Sequence, residues 1–165
     1  MSAAGVWNFV QALHYLAITL WVGGIVFLSA VAAPSIHGSV ISRALAGQVV
    51  RRMLERFNMM EFGACFFLVA TSLSAVRFVS FKRGCLGLAL AAVLMGLVTS
   101  FYALRLGPRM EHLKTSVPVF ETLSETDPAR VEFKGLHHLY VRLMGLNLVL
   151  GLGLLYGSVT IFSRP

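Results

Sequence analysis

The residue of this chain with the clearest potential for chemistry is a histidine in a long apolar run. His14 belongs to a segment, residues 9–33, that contains no charged residue. An ionisable group inside a membrane helix marks a candidate functional site. On a helix, His14 shares a face with Trp21 and Gly24, so one interpretation is a ligand to b-type haem beside a glycine that leaves room for the macrocycle. The alternative is a neutral histidine hydrogen-bonded to a neighbouring helix.

A second set of polar residues lies at the ends of the other apolar runs. We expect them at similar depth, with Glu61 and Arg142 as an ion pair that satisfies two groups costly to bury. Two interpretations stay open, a structural ion-pair cluster and a polar pocket for a ligand or an ion. The set consists of Glu61, Tyr102, Arg105, Arg142 and Asn147.

Four more histidines fall on the same side of the chain's apolar runs, namely His37, His112, His137 and His138. Imidazole is a good ligand for zinc, copper and nickel, so a metal site is one hypothesis. No two of them have the i,i+4 spacing of a preformed pair, and adjacent residues on a helix point about 100° apart. Four unrelated histidines are therefore the alternative.

The composition places these residues in a membrane protein. The chain has 165 residues, of which 57% are hydrophobic and 13% charged. Soluble domains have about 45–50% apolar and about 25% charged residues, so this composition excludes an ordinary soluble domain, a disordered chain and a coiled coil. The basic residues that give the chain its net charge of +7 lie between long apolar runs. This position favours contact with lipid headgroups over contact with nucleic acid.

Four apolar segments are long enough to cross a bilayer as helices. They cover about residues 9–33, 59–79, 84–104 and 139–163. We expect residues 9–33 to be a first transmembrane helix, because a signal peptide has a positive start and a shorter core. Apolar residues at helical spacing in 43–57 predict a short interfacial helix in the first loop. The predicted fold is an all-α, four-helix transmembrane bundle in one domain.

The distribution of Lys and Arg predicts the orientation of the bundle. The first and third loops, with Arg105, carry nine of these residues, and the other side carries four, including Arg164. The positive-inside rule then places both termini on the non-cytoplasmic side, and we expect a membrane of the bacterial inner type.

Several short motifs resemble the transmembrane-protein-205-like family of membrane domains of unknown function. The resemblance covers essentially the whole chain and implies a four-helix bundle without an established enzymatic activity. The first helix is also similar, more weakly, to copper-resistance-D-like and HemJ-like membrane proteins, which handle copper and haem. After His137 the chain departs from the family's pattern, since His138 follows. The motifs are His14 with 21–24, Ala33-Pro34, 44–49, Tyr102 with 107–109, and 133–137.

The sequence contains no catalytic motif, such as a nucleophile elbow, P-loop, dinucleotide fingerprint or HExxH. Small residues recur at i,i+4 in 92–100 and 153–157, which indicates close helix contacts within the bundle or between subunits. We therefore expect a protein without its own catalytic centre, an accessory subunit or scaffold that packs on other membrane subunits or on its own copies. The alternative is a haem- or metal-binding redox protein, and a small transporter is a third hypothesis.

Overall fold

The computed structural model describes residues 2–117 and 120–163, and within them every regular element is a helix. Arg164, one of the residues counted for the orientation, lies outside these ranges. The elements are α1 (Ala3–Phe27), α2 (Ala33–Ser39), α3 (Arg43–Ala75), α4 (Lys82–Phe101), α5 (Gly107–Thr115) and α6 (Pro128–Phe162), with a short 3-10 turn at Phe120–Thr122. The four-helix prediction is confirmed, because four continuous helical stretches are long and apolar enough to cross a membrane.

Two of these stretches pass through a proline without breaking. The π-helical turn Leu28–Ala32 joins α1 to α2 just before Pro34, and the turn Tyr102–Leu106 joins α4 to α5 just before Pro108. Proline inside an α-helix lacks an N–H and clashes with the carbonyl one turn earlier. A wider π turn at this point accommodates the extra crowding, so each helix continues and carries its last turns beyond the proline.

The helices are much longer than a bilayer requires. Their continuous lengths are 37, 32, 34 and 35 residues, whereas about 20 residues span the hydrocarbon core. The additional helical length lies at the end of the bundle opposite Ala3 and Phe162. It comprises α2, the first half of α3, α5 and the first turns of α6. We call this part the extension, and we call the opposite end, with Ala3 and Phe162, the terminal end.

The interfacial helix expected at residues 43–57 is present as helix, but it is not a separate element. It is the first half of α3, which runs from Arg43 to Ala75 without interruption. The segment packs against α1 and α2, and Arg51 connects it to α5 through an ion pair with Glu111. Ser42 caps its first turn, as Asp127 caps α6, where the sequence Asp-Pro predicts a helix start.

Small residues set the helix contacts inside the bundle. The helices form a closed ring in the order α1, α3, α4, α6. Ala92 and Gly96 are buried where α4 meets α3, and a Cβ on Gly96 would lie 2.6 Å from the Cys65 sulfur. Of the 153–157 pair, Gly157 faces Leu88 inside the bundle, whereas Gly153 is exposed and has open space beside it.

We expect Gly24→Leu to lower the free energy of unfolding by about 1–3 kcal/mol, the usual range for overpacking. A Cβ on Gly24 would lie 2.1 Å from the buried Phe57 ring, so α1 and α3 must move apart. The matched control is Gly23→Leu, since no atom lies within 4 Å of a Cβ at Gly23. Thermal unfolding in detergent measures both variants, and equal loss of stability in the two would contradict this packing.

Candidate functional site

A buried polar cluster lies where α1, α3, α4 and α6 meet. The Tyr102 hydroxyl donates to Glu61 Oε2 at 2.6 Å. The Asn147 amide donates to the Thr99 hydroxyl at 2.9 Å and to the Met95 carbonyl at 3.2 Å. Thr99 and Tyr102 are 3.1 Å apart, so Asn147, Thr99, Tyr102 and Glu61 form one hydrogen-bonded chain. Glu61, Tyr102, Thr99 and Asn147 are each 0% exposed.

No basic side chain neutralises Glu61 within the described part of the protein. Arg105 and Arg142 are both exposed, and neither forms an ion pair or hydrogen bond there. The expected Glu61–Arg142 ion pair is therefore absent. Arg142 precedes Asn147 by five residues, which places the two about 140° apart around the helix. Because Asn147 faces the interior, Arg142 faces outward.

Several buried polar atoms of this cluster have no hydrogen-bond partner. They are Glu61 Oε1, Asn147 Oδ1 and Trp21 Nε1. The indole of Trp21 lies beside the Glu61 carboxyl group, but Nε1 does not meet the geometry of a hydrogen bond. A native interior leaves few such atoms unpaired, and each one deserves an explanation. The cluster therefore has unused capacity for a proton, a water molecule or an ion.

His14 forms a second buried group, nearer the terminal end. Its Nδ1 lies 2.7 Å from the Thr71 hydroxyl, and its Nε2 lies 2.8 Å from the Ser158 hydroxyl. Thr71 also reaches the Phe67 carbonyl at 2.6 Å, and Ser158 reaches the Leu154 carbonyl at 2.7 Å. A neutral imidazole has one N–H, so one of the two hydroxyls must donate to the ring instead of to its own helix.

The surroundings of His14 do not fit a haem. Both ring nitrogens have hydroxyl partners, and the side chain is 0% exposed, with the Phe162 ring 4.9 Å from it between centroids. The space beside Gly24 is filled by the Phe57 ring. Tyr156 of α6, whose hydroxyl would be a second ligand for an iron at the depth of His14, is 75% exposed on the outer face of its helix. His14 thus matches the hydrogen-bonded alternative.

The extension encloses a cavity of about 720 Å³. Its walls are provided by α2, α3, α5 and α6, and its floor contains Asn58 and Tyr140, whose side chains are hydrogen-bonded at 3.2 Å. About half of the remaining lining residues are polar or charged, but most of the lining surface is apolar, with Val50, Leu54 and Phe133 among the apolar residues. The cavity and the Glu61 cluster are neighbours, because the Tyr140 ring packs against Tyr102 with 4.8 Å between centroids.

The charged groups of the cavity differ in how they are paired. Arg51 is neutralised by Glu55 at 2.7 Å and by Glu111 at 3.2 Å. The Lys114 ammonium lies 4.9 Å from the centre of the Phe133 ring and forms no ion pair within the described residues. Lys114 is therefore the cation of the cavity that is available to a ligand.

Three of the four histidines considered for a metal site line this cavity, namely His37, His112 and His137. His138 does not, although its ring lies 6.3 Å from that of His137. In residues 2–117 and 120–163, no three His, Cys, Asp or Glu side chains are grouped closely enough to hold a metal ion. Three of these histidines therefore line one cavity without forming a set of metal ligands.

Several partners in these sites were not singled out from the sequence. Thr71 and Ser158 bind His14, Thr99 joins the Glu61 chain, and Asn58 pairs with Tyr140. Each is a small or neutral polar residue in an apolar segment. Such residues commonly bond to their own helix backbone, so nothing in the linear pattern separates them from ordinary helix residues.

We expect His14 and Ser158 to be energetically coupled. A double-mutant cycle of His14→Leu and Ser158→Ala should give about 0.6 kcal/mol, up to about 1.7 kcal/mol, as measured for hydrogen bonds between membrane helices. Thr160→Ala is the matched control, because Thr160 bonds only to the Gly157 carbonyl of its own helix. Unfolding in detergent supplies the free energies, and additive effects of His14→Leu and Ser158→Ala would contradict the bond.

Comparison with known proteins places the chain in a family but assigns it no activity. A family model described as a domain of unknown function, DUF4149, matches residues 16–117, more than half of the chain. No curated protein and no solved structure matches. The matched region contains the greater part of the first membrane helix and all of the second and third, with Glu61, Tyr102 and Lys114. The chain is an integral membrane protein of the DUF4149 family.

Proposed function

We propose that this protein is a membrane receptor or carrier for an amphipathic organic anion, without a catalytic centre of its own. The observation that carries the proposal is the cavity of about 720 Å³ with the unpaired Lys114 ammonium at its wall. The proposal agrees with the resemblance to the transmembrane-protein-205-like family, which also implies no established enzymatic activity.

The size and lining of the cavity suit a small organic molecule. Ligand pockets are usually clefts of about 300–1,000 Å³ with mostly apolar walls and a few polar groups that fix orientation. Leu54, Met110 and Phe133 offer an apolar surface, whereas Asn58 and Tyr140 offer hydrogen bonds at the floor. A molecule with an apolar body and one polar group matches this distribution.

The charge of the cavity favours an anionic head group. Lys114 has no acidic partner among the described residues, and the acids Glu55 and Glu111 are already bound to Arg51. His37, His112 and His137 add further N–H donors. Because none of these histidines is hydrogen-bonded to a carboxylate or a nucleophile in the described residues, binding is favoured over catalysis.

The cavity lies at one end of the bundle, and this position supports uptake of the molecule from one face of the membrane. We propose that the extension faces the cytoplasm of a bacterial-type cell, because the Lys and Arg residues concentrate in the first and third loops. The cavity would then lie at the cytoplasmic surface, where amphipathic anions partition between water and lipid.

We expect the purified protein to bind dodecanoate in preference to dodecanol or dodecylamine. Lys114→Gln should weaken dodecanoate binding by about tenfold or more, since a hydrogen bond to a charged group contributes about 1.5–3 kcal/mol. The same variant should leave dodecanol binding unchanged. Native mass spectrometry of the detergent-solubilised protein measures stoichiometry and relative affinity for the three compounds.

The matched control is Lys82→Gln, because Lys82 is an exposed lysine at the start of α4, far from the extension. Ala103→Phe is a second test, since Ala103 lines the cavity and a larger side chain would fill it. That variant should reduce binding of dodecanoate and dodecanol alike. Equal binding of all three compounds to the native protein and to Lys114→Gln would overturn the proposal.

The accessory-subunit role predicted from the sequence is the second candidate. The observation in its favour is the outer face of α6, where Gly145 and Gly153 are exposed with no atom within 4 Å of a Cβ. Glycines on a lipid-facing surface allow another helix to approach closely. Such a face suits packing on a further membrane subunit or on a second copy of the chain.

If α6 is an interface, Gly153→Leu should shift the protein to a smaller assembly in mild detergent. Gly87→Leu on α4 is the control, because Gly87 also has open space beside it. Size-exclusion chromatography with light scattering measures the mass of both variants. An unchanged mass in Gly153→Leu, or the same loss in Gly87→Leu, would remove this support.

A further inference from the structure

We infer that Glu61 is a proton-binding site whose proton exchanges with one side of the membrane only, through the floor of the cavity. The inference does not depend on which molecule the cavity binds. It rests on four observations, which are the burial of Glu61, the donors that face it, its contact path to the cavity and the apolar layer on its other side.

The carboxyl group needs a positive charge that the described side chains do not supply. Glu61 is 0% exposed and forms no ion pair with a described residue. Burying an isolated carboxylate is prohibitively costly, so the group must take up a cation or become neutral. A proton accomplishes this with the smallest change of structure, by converting the carboxylate into a carboxylic acid.

The neighbours of Glu61 favour a proton over a metal cation. Tyr102 donates its O–H to Oε2, and the indole N–H of Trp21 lies beside the same carboxyl group. A sodium ion needs several further oxygen ligands, whereas the hydroxyl of Tyr102 and the indole of Trp21 direct hydrogen atoms at the carboxyl group. The unpartnered Oε1 is the atom that takes the proton, because Oε2 already accepts from Tyr102.

The groups around Glu61 come from all four membrane helices. Trp21 is on α1, Asn58 on α3, and Asn147 and Tyr140 on α6, while Thr99 and Tyr102 belong to α4 and its π turn. Tyr102 and Tyr140 are the other titratable side chains among them. No charged side chain of the described residues contacts the carboxyl group, so the proton is shared with no acidic or basic partner.

Two tyrosine side chains in ring contact lie between Glu61 and the cavity. Tyr102 binds the carboxyl group, and its ring packs against that of Tyr140. Tyr140 in turn is hydrogen-bonded to Asn58, and both residues line the cavity. Asn58 and Glu61 are three residues apart on α3, about one helical turn. A proton or a water molecule from the cavity therefore has only this one layer to cross.

Toward the terminal end the interior is apolar. Apart from the Cys65 thiol, which donates to the Ala92 carbonyl of α4, the next polar side chain on α3 with a partner on another helix is Thr71, ten residues or about 15 Å beyond Glu61. The interior between the two sites is filled by Ile18, Leu68, Ala92, Met95 and Leu154, which are at most 3% exposed. His14 and its hydroxyl partners are thus separated from Glu61, and the proton has no hydrogen-bonded route to that side.

Infrared spectroscopy of the full-length protein in lipid nanodiscs tests the inference directly. A protonated carboxylic acid in an apolar site has a carbonyl band that ionised surface acids lack. In neutral buffer we expect this band in the native protein and in Glu55→Gln, a control for an exposed acid on the same helix. The band should be lost in Glu61→Gln, which preserves the shape of the side chain.

The direction of exchange is measured by following the shift of this band after transfer to D2O. Tyr140→Phe removes the hydroxyl at the cavity floor and should slow the shift by about tenfold, the effect of about 1.4 kcal/mol on the barrier. His14→Leu changes the other polar group and should leave the rate unchanged. Isotope-labelled glutamate assigns the band in the native protein, even if Glu61→Gln fails to fold.

Three results would overturn the inference. The first is the absence of a protonated glutamate band in the native protein at neutral pH. The second is a band that disappears when choline chloride is replaced by sodium chloride, which would make this a sodium site. The third is equal slowing of exchange in Tyr140→Phe and His14→Leu, which would show access from both sides.

Discussion

The hydrocarbon interior of a membrane offers no hydrogen-bond partner, so every polar atom carried into it must be matched by another part of the same protein. This requirement explains the arrangement of the bundle. Thr71 and Ser158 are brought to His14 from two other helices, and Tyr102, itself bound by Asn147, is brought to Glu61 in the same way. The helix order α1, α3, α4, α6 brings neighbouring helices close enough for these hydrogen bonds to form.

The same requirement divides the molecule along its length. In the terminal half, the hydrogen-bonded polar side chains form a small set around His14, and apart from the buried Ser72 hydroxyl most of the interior there is packed hydrocarbon. Toward the extension the side chains become charged and the helices diverge around a cavity. The two π turns lie at this transition, just before Pro34 and Pro108. They allow α1 and α4 to continue as α2 and α5, which form much of the cavity wall.

The sequence predicted the features that depend on composition and on the depth of a residue in the membrane. Four apolar runs gave the four helices, and Glu61, Tyr102 and Asn147 were expected at one level, where the structure brings them together. It did not predict which side chains face inward, since that depends on helix rotation, as the outward Arg142 illustrates. Of the extension, the start of α6 at Asp127-Pro128 was predicted, but the continuity of residues 43–57 with α3 was not, because a charged amphipathic segment can either lie along a membrane or continue a spanning helix. The contacts of this segment with the other helices decide between the two arrangements, and those contacts cannot be read from the linear sequence.

The partners of Glu61 are far from it in the sequence, and this has a consequence for how the protein is made. Tyr102 follows Glu61 by 41 residues, and Asn147 follows it by 86. During synthesis the first helical hairpin therefore emerges with an acidic group before Tyr102, which donates a hydrogen bond to it, has been translated. We expect that hairpin to stay near the lipid headgroups, or in contact with the insertion machinery, until the third and fourth helices have been synthesised. Assembly of the bundle is thus tied to completion of the chain.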